Sequence, residues 1–141
     1  MSLDLDALET SFDLVAPRGD ELMNIFYARL FVAAPGVRTL FPRDMETQKK
    51  MLLSALVLLR QSLRDLEDIV PALHELGARH VAYGARPEHY PVVGAALIAA
   101  MAEIAGQDWA PEYAQAWADA FDVVAGAMIA GAAEAELAAA A

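Results

Sequence analysis

Proline and glycine residues divide this chain into segments in which apolar residues recur three and four positions apart. That spacing places the apolar side chains on one face of an α-helix, and no segment shows the sustained alternation of a half-buried strand. The predicted helices cover residues 4–15, 19–34, 36–41, 44–64, 67–83, 88–105 and 110–137. Six longer helices and one short helix, closely joined, predict an all-α fold that is a compact helical domain rather than a simple up-and-down bundle.

Length and composition narrow the protein class further. A chain of 141 residues, of which 57% are hydrophobic and 21% charged, is predicted to fold as one domain spanning residues 1–141. Its twenty acidic and ten basic side chains give a net charge of -10, which repels phosphate backbones and anionic lipids, so we expect neither nucleic acid nor a membrane as a partner. The absence of cysteine excludes disulfides and thiolate metal sites. The opening MSLDLDALET lacks the features of a signal peptide, and we therefore expect a cytoplasmic protein.

The three histidines differ in their predicted surroundings. His80 lies on the apolar face of the segment 67–83, which comprises Ile69, Leu73, Leu76, His80 and Tyr83. His89 lies beside Pro87 and Glu88, about a quarter of a turn from the inward face of the next helix, and is predicted to be near the surface. His74 falls on a mixed face. An inward histidine such as His80 is either a ligand or a core residue that donates to a backbone carbonyl.

Two further polar residues interrupt apolar faces. Gln48 is the polar member of a predicted buried face that comprises Met45, Gln48, Leu52, Ala55, Leu56 and Leu59. Tyr27 shares a face with Met23, Leu30, Phe31 and Ala34, so its phenol is predicted to be buried and to need a partner. For Gln48 the alternative is a hydrogen bond at the helix end, and for Tyr27 it is a bond to a backbone carbonyl.

Taken together, His80, Gln48, Tyr27 and the Phe41 of the TLFP turn resemble the globin family. The resemblance is greatest to single-domain bacterial haemoglobins related to the globin half of flavohaemoglobins. The segment IFYARLFVAAPGVRTLFP is similar to the family's second helix and its turn to the phenylalanine that packs on the porphyrin. ETQKKML resembles the start of the distal helix, LGARHVAYG the proximal helix, and EHYPVVG with WAPEYAQAWADAF the last two helices.

The resemblance implies a globin fold with one non-covalent haem b per chain. It implies that His80 is the proximal iron ligand, which also donates its other ring N–H to an acceptor. Tyr27 and Gln48 correspond to the distal polar pair, Leu52 to the distal apolar wall and Phe41 to the porphyrin clamp.

The family also has a tyrosine and a glutamate next to the proximal histidine, on the side away from the haem. Tyr90 matches a tyrosine of the haem site, but the family's neighbouring glutamate falls on Ala132. Glu134 lies two residues further on, roughly 200° round the helix, and does not substitute for it. We therefore expect weak electron donation from His80 and low peroxidase-like activity.

The resemblance implies reversible binding of dioxygen, with carbon monoxide and nitric oxide as further ligands. NO dioxygenation is a further activity that it implies, and it would use an external reductase because the chain contains no Gly-x-Gly-x-x-Gly motif. Two alternatives stay open. One is a gas-sensing module that acts on an output domain, and the other is a haem-free helical scaffold in which His80 is only a core residue.

Overall fold

The structure is a computed structural model that describes residues 3–140, and within this range it contains helices and turns but no β-strand. The α-helices are α1 (Leu5–Val15), α2 (Gly19–Ala33), α3 (Glu46–Gln61), α4 (Val70–Ala82), α5 (His89–Ala105) and α6 (Pro111–Ala140). Short 3₁₀ segments lie at Ala16–Arg18, Pro35–Leu40, Leu63–Ile69 and Gly106–Asp108. The predicted all-α class is confirmed, and the short predicted helix at 36–41 is the 3₁₀ segment Pro35–Leu40.

Local chemistry explains why the helices begin and end where they do. The Asp4 carboxylate accepts a hydrogen bond of 3.1 Å from the backbone N–H of Ala7 and so caps α1. Pro71 lies in the first turn of α4, where its missing N–H costs no hydrogen bond. Gly84 and Gly106, which follow α4 and α5, have φ angles of 92° and 56° that favour glycine.

The connection between α3 and α4 differs from the sequence prediction. Residues Leu63–Ile69 wind as a 3₁₀ segment, within which Asp65 has the non-helical angles φ -135° and ψ 42°. This break delays the start of α4 to Val70, three residues after the predicted start at residue 67. The apolar spacing continues through the break because a 3₁₀ turn also repeats every third residue.

The core is centred on contacts between α1, α2, α5 and α6. Trp117 of α6 is fully buried, and its indole N–H donates a 2.8 Å hydrogen bond to the Ser11 hydroxyl of α1. That hydroxyl in turn donates to the Ala7 carbonyl over 2.6 Å. The buried polar groups at the centre of the core are therefore paired with one another.

Helices α5 and α6 are the most apolar parts of the chain. The stretches His89–Asp108 and Pro111–Ala139 are long and apolar enough to cross a membrane by length and composition alone, as many core helices of globular proteins are. Here Leu97 and Met101 of α5 and Trp117 of α6 are buried within the core. Of the most apolar 18 residues in each stretch, 33% and 28% are buried, so only one side of each helix lies in this core.

Ion pairs attach α1 to the end of α3 and to the segment that follows it. Arg60 donates two hydrogen bonds of 3.0 Å to Asp13, and its guanidinium lies 3.3 Å from Glu9. Arg64 bonds Glu9 over 2.7 Å and Asp6 over 2.9 Å. Most of these side chains are exposed, so each pair contributes little alone, but together they tie the first helix to the third.

Helices α3 and α4 follow each other in the chain but pack on different partners. Within the described residues, α3 contacts α1 and α2, whereas α4 contacts α6 and the 3₁₀ connection before it. Two predictions of burial were wrong, because Ala55 of α3 is exposed and Tyr83 after α4 is 56% exposed. The apolar faces of the two helices are thus only partly covered by other helices.

Candidate functional site

Tyr27 of α2 and Gln48 of α3 are hydrogen-bonded to each other. The side-chain amide of Gln48 donates to the phenol oxygen of Tyr27 over 3.2 Å, and Tyr27 is only 4% exposed. The partner of the buried phenol is therefore a side-chain amide rather than the backbone carbonyl considered above. Because the phenol oxygen accepts in this bond, its own proton is left to donate to another group.

Burial also controls the protonation of this phenol. Removal from solvent raises the pKa of Tyr27 above its ordinary value, and the Gln48 hydrogen bond opposes that rise to a smaller degree. Tyr27 is consequently neutral at physiological pH and keeps its donor proton.

The rings of Phe31 and Phe41 pack against the phenol ring of Tyr27. Phe41 meets Tyr27 edge to face, with ring centroids 5.7 Å apart and an interplanar angle of 78°. Phe31 lies 5.9 Å from Tyr27 and 5.5 Å from Phe41, which closes the cluster. Edge-to-face contacts of this kind are favourable beyond the apolar area they bury. The structure thus brings together Tyr27, Gln48 and Phe41, which the sequence analysis selected, and adds Phe31.

Arg38 holds the turn that carries Phe41, and the sequence analysis did not identify it. Its guanidinium donates to the carbonyl oxygens of Phe41, Pro42 and Arg43 over 3.3, 3.0 and 3.1 Å. The same group lies 5.2 Å from the centre of the Phe31 ring. The sequence feature that could have identified it is a single arginine within the otherwise apolar turn PGVRTLFP. The several N–H groups of a guanidinium can donate to backbone carbonyls that are not hydrogen-bonded within a helix.

Leu52 follows Gln48 by one turn of α3. It is half-buried and packs against the core, on the same side of the helix as the Gln48 amide. Its side chain therefore extends the apolar surface that begins at the aromatic cluster.

His80 lies near the end of α4 with its ring held by the backbone. Its Nδ1 lies 2.7 Å from the carbonyl oxygen of Leu76, one turn earlier. Since a carbonyl only accepts, Nδ1 carries a proton, and in the neutral form of the ring Nε2 then presents a lone pair. The ring also meets Tyr83 edge to face at 5.5 Å. A neutral imidazole with this tautomer and a fixed second nitrogen has the form required of a metal ligand.

The end of α4 reaches the turn that carries the aromatic cluster. The N–H of Ala85 donates to the carbonyl of His80 over 2.9 Å, in the bond pattern that closes a helix at a glycine with positive φ. A Cβ on Gly84 would lie 3.0 Å from Cδ2 of Leu40, the residue before Phe41. The segment that follows His80 and the turn that carries Phe41 are therefore in contact.

The other two histidines have different surroundings. Nδ1 of His89, the first residue of α5, accepts a hydrogen bond of 3.1 Å from the backbone N–H of Arg86 in the turn before that helix. Nδ1 of His74 lies 3.7 Å from a carboxylate oxygen of Glu134, which is itself 70% exposed. Each of these imidazoles thus has a local partner, His89 in the turn before α5 and His74 in a pair at the surface.

Tyr90 and Ala132 are the remaining predicted positions. Tyr90 lies in the first turn of α5, and burial raises the pKa of its phenol. Residue 131, next to Ala132, lies against the backbone of His74. Position 132 is therefore level with the first half of α4, about 9 Å along the helix axis from His80 at 1.5 Å per residue.

Comparisons with known proteins agree with this architecture. The family model for Globin matches residues 24–128. A flavohemoprotein from Bacillus subtilis is 28% identical over 128 residues, which are 89% of this chain and 32% of that protein. A flavohemoprotein from Rhodopirellula baltica is 31% identical over 115 residues, 79% of this chain and 28% of that protein. The chain thus spans about a third of the length of the curated relatives it matches.

Solved structures show the same fold. An engineered carbene transferase, a putative nitric oxide dioxygenase from Rhodothermus marinus, superimposes with a TM-score of 0.81 and 24% identity, over 99% of this chain and 100% of that one. A bacterial globin from Campylobacter jejuni gives a TM-score of 0.79 and 24% identity, over 92% and 94% of the two chains. Because the family model covers most of the sequence, the chain belongs to the globin family, as its residues predicted.

Proposed function

We propose that this chain is a haem-binding globin domain that spans residues 1–141 and binds dioxygen reversibly, with His80 as the protein ligand of the iron. The observation that carries the proposal is the ring of His80, whose Nδ1–H is committed to the Leu76 carbonyl so that Nε2 is left as a ligand atom. Membership of the globin family and relatives named flavohemoproteins support the same cofactor.

The side chains beside Tyr27 and Gln48 are of the types that a haem b group needs. A porphyrin needs apolar and aromatic surface on its two faces, and Phe41 and Leu52 provide partly buried side chains of that type. The chain has no cysteine to form thioether links, so the group would be held without covalent bonds to the ring. We propose that Phe41, Leu52 and Tyr90 would hold the porphyrin and that His80 would bind its iron.

A haem iron held by one imidazole supplies a coordination position for dioxygen, carbon monoxide or nitric oxide. The protein's own contribution is selectivity among these gases. The phenol proton of Tyr27 is available as a donor in a buried site, and such a donor favours a polar ligand over a nearly apolar one. The Gln48 amide holds the phenol oxygen and so orients that proton, and the burial of Tyr27 keeps it from solvent.

NO dioxygenation is the second activity that we propose for the same site. It is supported by relatives named flavohemoproteins and by the likeness to a protein described as a putative nitric oxide dioxygenase. In this scheme an external reductase would supply the electrons, and the phenol of Tyr27, supported by Gln48, would donate its proton in a hydrogen bond to dioxygen.

Titration of the purified chain with haemin, followed by absorption spectroscopy, tests the proposal. We expect uptake to saturate at one haem per chain, and we expect the anaerobically reduced protein to give distinct spectra with dioxygen, carbon monoxide and nitric oxide. Failure to bind haem in a fixed ratio would instead favour a haem-free helical scaffold. Nitrate formation from nitric oxide and dioxygen, with a flavin reductase and its nicotinamide donor added, tests the dioxygenase activity separately.

A further inference from the structure

We propose that Gly77 and Gly131 are positioning residues that set the location of His80 by allowing α4 and α6 to cross with their backbones in close contact. This inference rests on the proposed role of His80 as the iron ligand. It assigns a function to two glycines within helices that the apolar spacing of the sequence does not single out.

Neither glycine leaves space for a side chain. A Cβ on Gly77 would overlap the carbonyl oxygen of Met128, and a Cβ on Gly131 would overlap the backbone of His74. The atoms in the way are backbone atoms, which cannot turn aside as the end of a flexible side chain can. Alanine is favoured over glycine within helices, so glycine at these two positions opposes helix propensity and allows the close approach instead.

The crossing lies beside the group that orients His80. On α4 the two contact points are His74 and Gly77, and Leu76 lies between them in the sequence. The Leu76 carbonyl is the acceptor that fixes Nδ1 of His80. The imidazole of His80 lies one turn further along the helix than this acceptor. Any movement of α4 away from α6 at residue 77 therefore moves both the Leu76 carbonyl and the His80 ring.

Little else fixes α4 in place. Among the residues of this helix, Gly77 is the buried one, whereas Leu73, Leu76 and His80 are half-buried. The helix contacts α6 and the 3₁₀ segment before it, but it has no extensive interface with α3 in the described part of the chain. The contact with α6 is thus the main determinant of where α4, and with it His80, is held.

The test compares three alanine substitutions. Gly77→Ala and Gly131→Ala place a methyl group in the crossing, and Gly126→Ala is the matched control, since a Cβ at this position of α6 meets nothing within 4 Å. Ser11→Ala is a second control, because it removes the hydroxyl that bonds Trp117 and weakens the core away from α4.

Two measurements follow the position of His80 rather than overall stability. In the haem-loaded ferrous protein, we expect Gly77→Ala and Gly131→Ala to shift the iron–histidine stretching frequency. We also expect them to release haem to an acceptor globin about tenfold faster or more, as is typical when the support of a metal ligand is disturbed. Gly126→Ala should change neither value, and Ser11→Ala should lower the melting temperature without shifting the frequency. Frequencies in both crossing variants equal to that of the unsubstituted protein would overturn the proposal.

A haem-free measurement separates this proposal from the proposed function. The imidazole ¹⁵N signals of His80 report whether Nδ1 is protonated and hydrogen-bonded, and the crossing variants should lose that signature while Gly126→Ala keeps it. If the protein takes up no haem, the proposed function fails, but these signals still decide whether the crossing orients His80. Should both variants fail to fold, nuclear Overhauser contacts between the Hα protons of Gly77 and Met128 in the unsubstituted protein decide the matter, and their absence would contradict the close crossing.

Discussion

The Gln48 amide and the Tyr27 phenol form a directed pair in which the amide donates and the phenol oxygen accepts, over 3.2 Å. The two residues come from different helices and lie 21 positions apart in the chain. The direction of the bond gives them different tasks. Tyr27 keeps a proton for a ligand, and Gln48 supports Tyr27, so the two substitutions below are expected to differ in size.

Tyr27→Phe removes the proposed donor. Loss of a hydrogen bond to a partly charged acceptor costs about 1 to 3 kcal/mol, so we expect dioxygen to be released roughly 5- to 150-fold faster. Carbon monoxide release should barely change, because this ligand accepts hydrogen bonds poorly. Stopped-flow kinetics measure the release rates of dioxygen and carbon monoxide. Tyr113→Phe is the control, because Tyr113 contacts Trp109 and has no proposed role in ligand binding. Equal acceleration of both gases would show that the phenol only fills space.

Gln48→Leu removes the support but keeps the donor. The bond that is lost is between neutral groups, worth about 0.5 to 1.5 kcal/mol, so dioxygen release should quicken by roughly 2- to 12-fold. The double variant should release dioxygen little faster than Tyr27→Phe, because Gln48 acts through Tyr27. Multiplicative effects in the double variant would indicate that Gln48 contacts the gas independently.

Stability at alkaline pH depends on the two shielded phenols. Burial raises the pKa values of Tyr27 and Tyr90 above their ordinary value of 10.0, so the folded protein binds these protons more tightly than the unfolded chain. Their contribution to the free energy of unfolding is complete below about pH 10 and is lost as the pH rises through the folded-state values. Denaturant unfolding between pH 8 and pH 11 should show this fall, and it should be less steep in Tyr27→Phe. An unchanged slope in that variant would contradict the shielding of Tyr27.

Substitution of the histidines tests the ligand assignment. His80→Ala should abolish haem uptake or give a misligated spectrum, whereas His89→Ala should keep the spectrum because Nδ1 of His89 is bonded to the backbone of the turn before α5. A small loss of overall stability is expected in His89→Ala, since the exposed N–H of Arg86 loses its acceptor. Loss of haem from the His89 variant alone would reverse the assignment.

The sequence predicted the helices well because proline, glycine and apolar spacing act locally. Burial was predicted less well, because spacing shows which side of a helix is apolar but not whether another helix covers it. Tyr83, on the predicted inward face, is 56% exposed for this reason. Two features of the site depend on the folded geometry: the hydrogen bond between His80 and the Leu76 carbonyl, and the contact between Gly77 and Met128. The second contact joins residues far apart in the chain. A single sequence has no signal for such a contact beyond glycine within a helix.

The register of α4 against α6 determines what an acidic side chain behind His80 can do. The family resemblance places a glutamate at position 132, where this chain has alanine, and implies that Ala132→Glu makes His80 a stronger electron donor. In the structure, however, Gly131 lies against His74 and Met128 against Gly77, so position 132 is level with the start of α4. An acid there is closer to His74 than to His80.

Val124 and Ala132 therefore form a matched pair of substitution sites on α6. Val124 lies one turn before Met128 on the same face, and because the helices run antiparallel it is level with the residue after His80. We expect Ala132→Glu to leave the iron–histidine stretching frequency and the low peroxide activity unchanged, and Val124→Glu to raise both if the protein stays folded. Resonance Raman spectra of the ferrous proteins, with circular dichroism to confirm folding, provide the comparison. A higher iron–histidine stretching frequency in Ala132→Glu would contradict this expectation. It would show that, in the haem-loaded protein, residue 132 of α6 lies closer to His80 than the crossing at Gly77 and Gly131 allows, as the family resemblance implies.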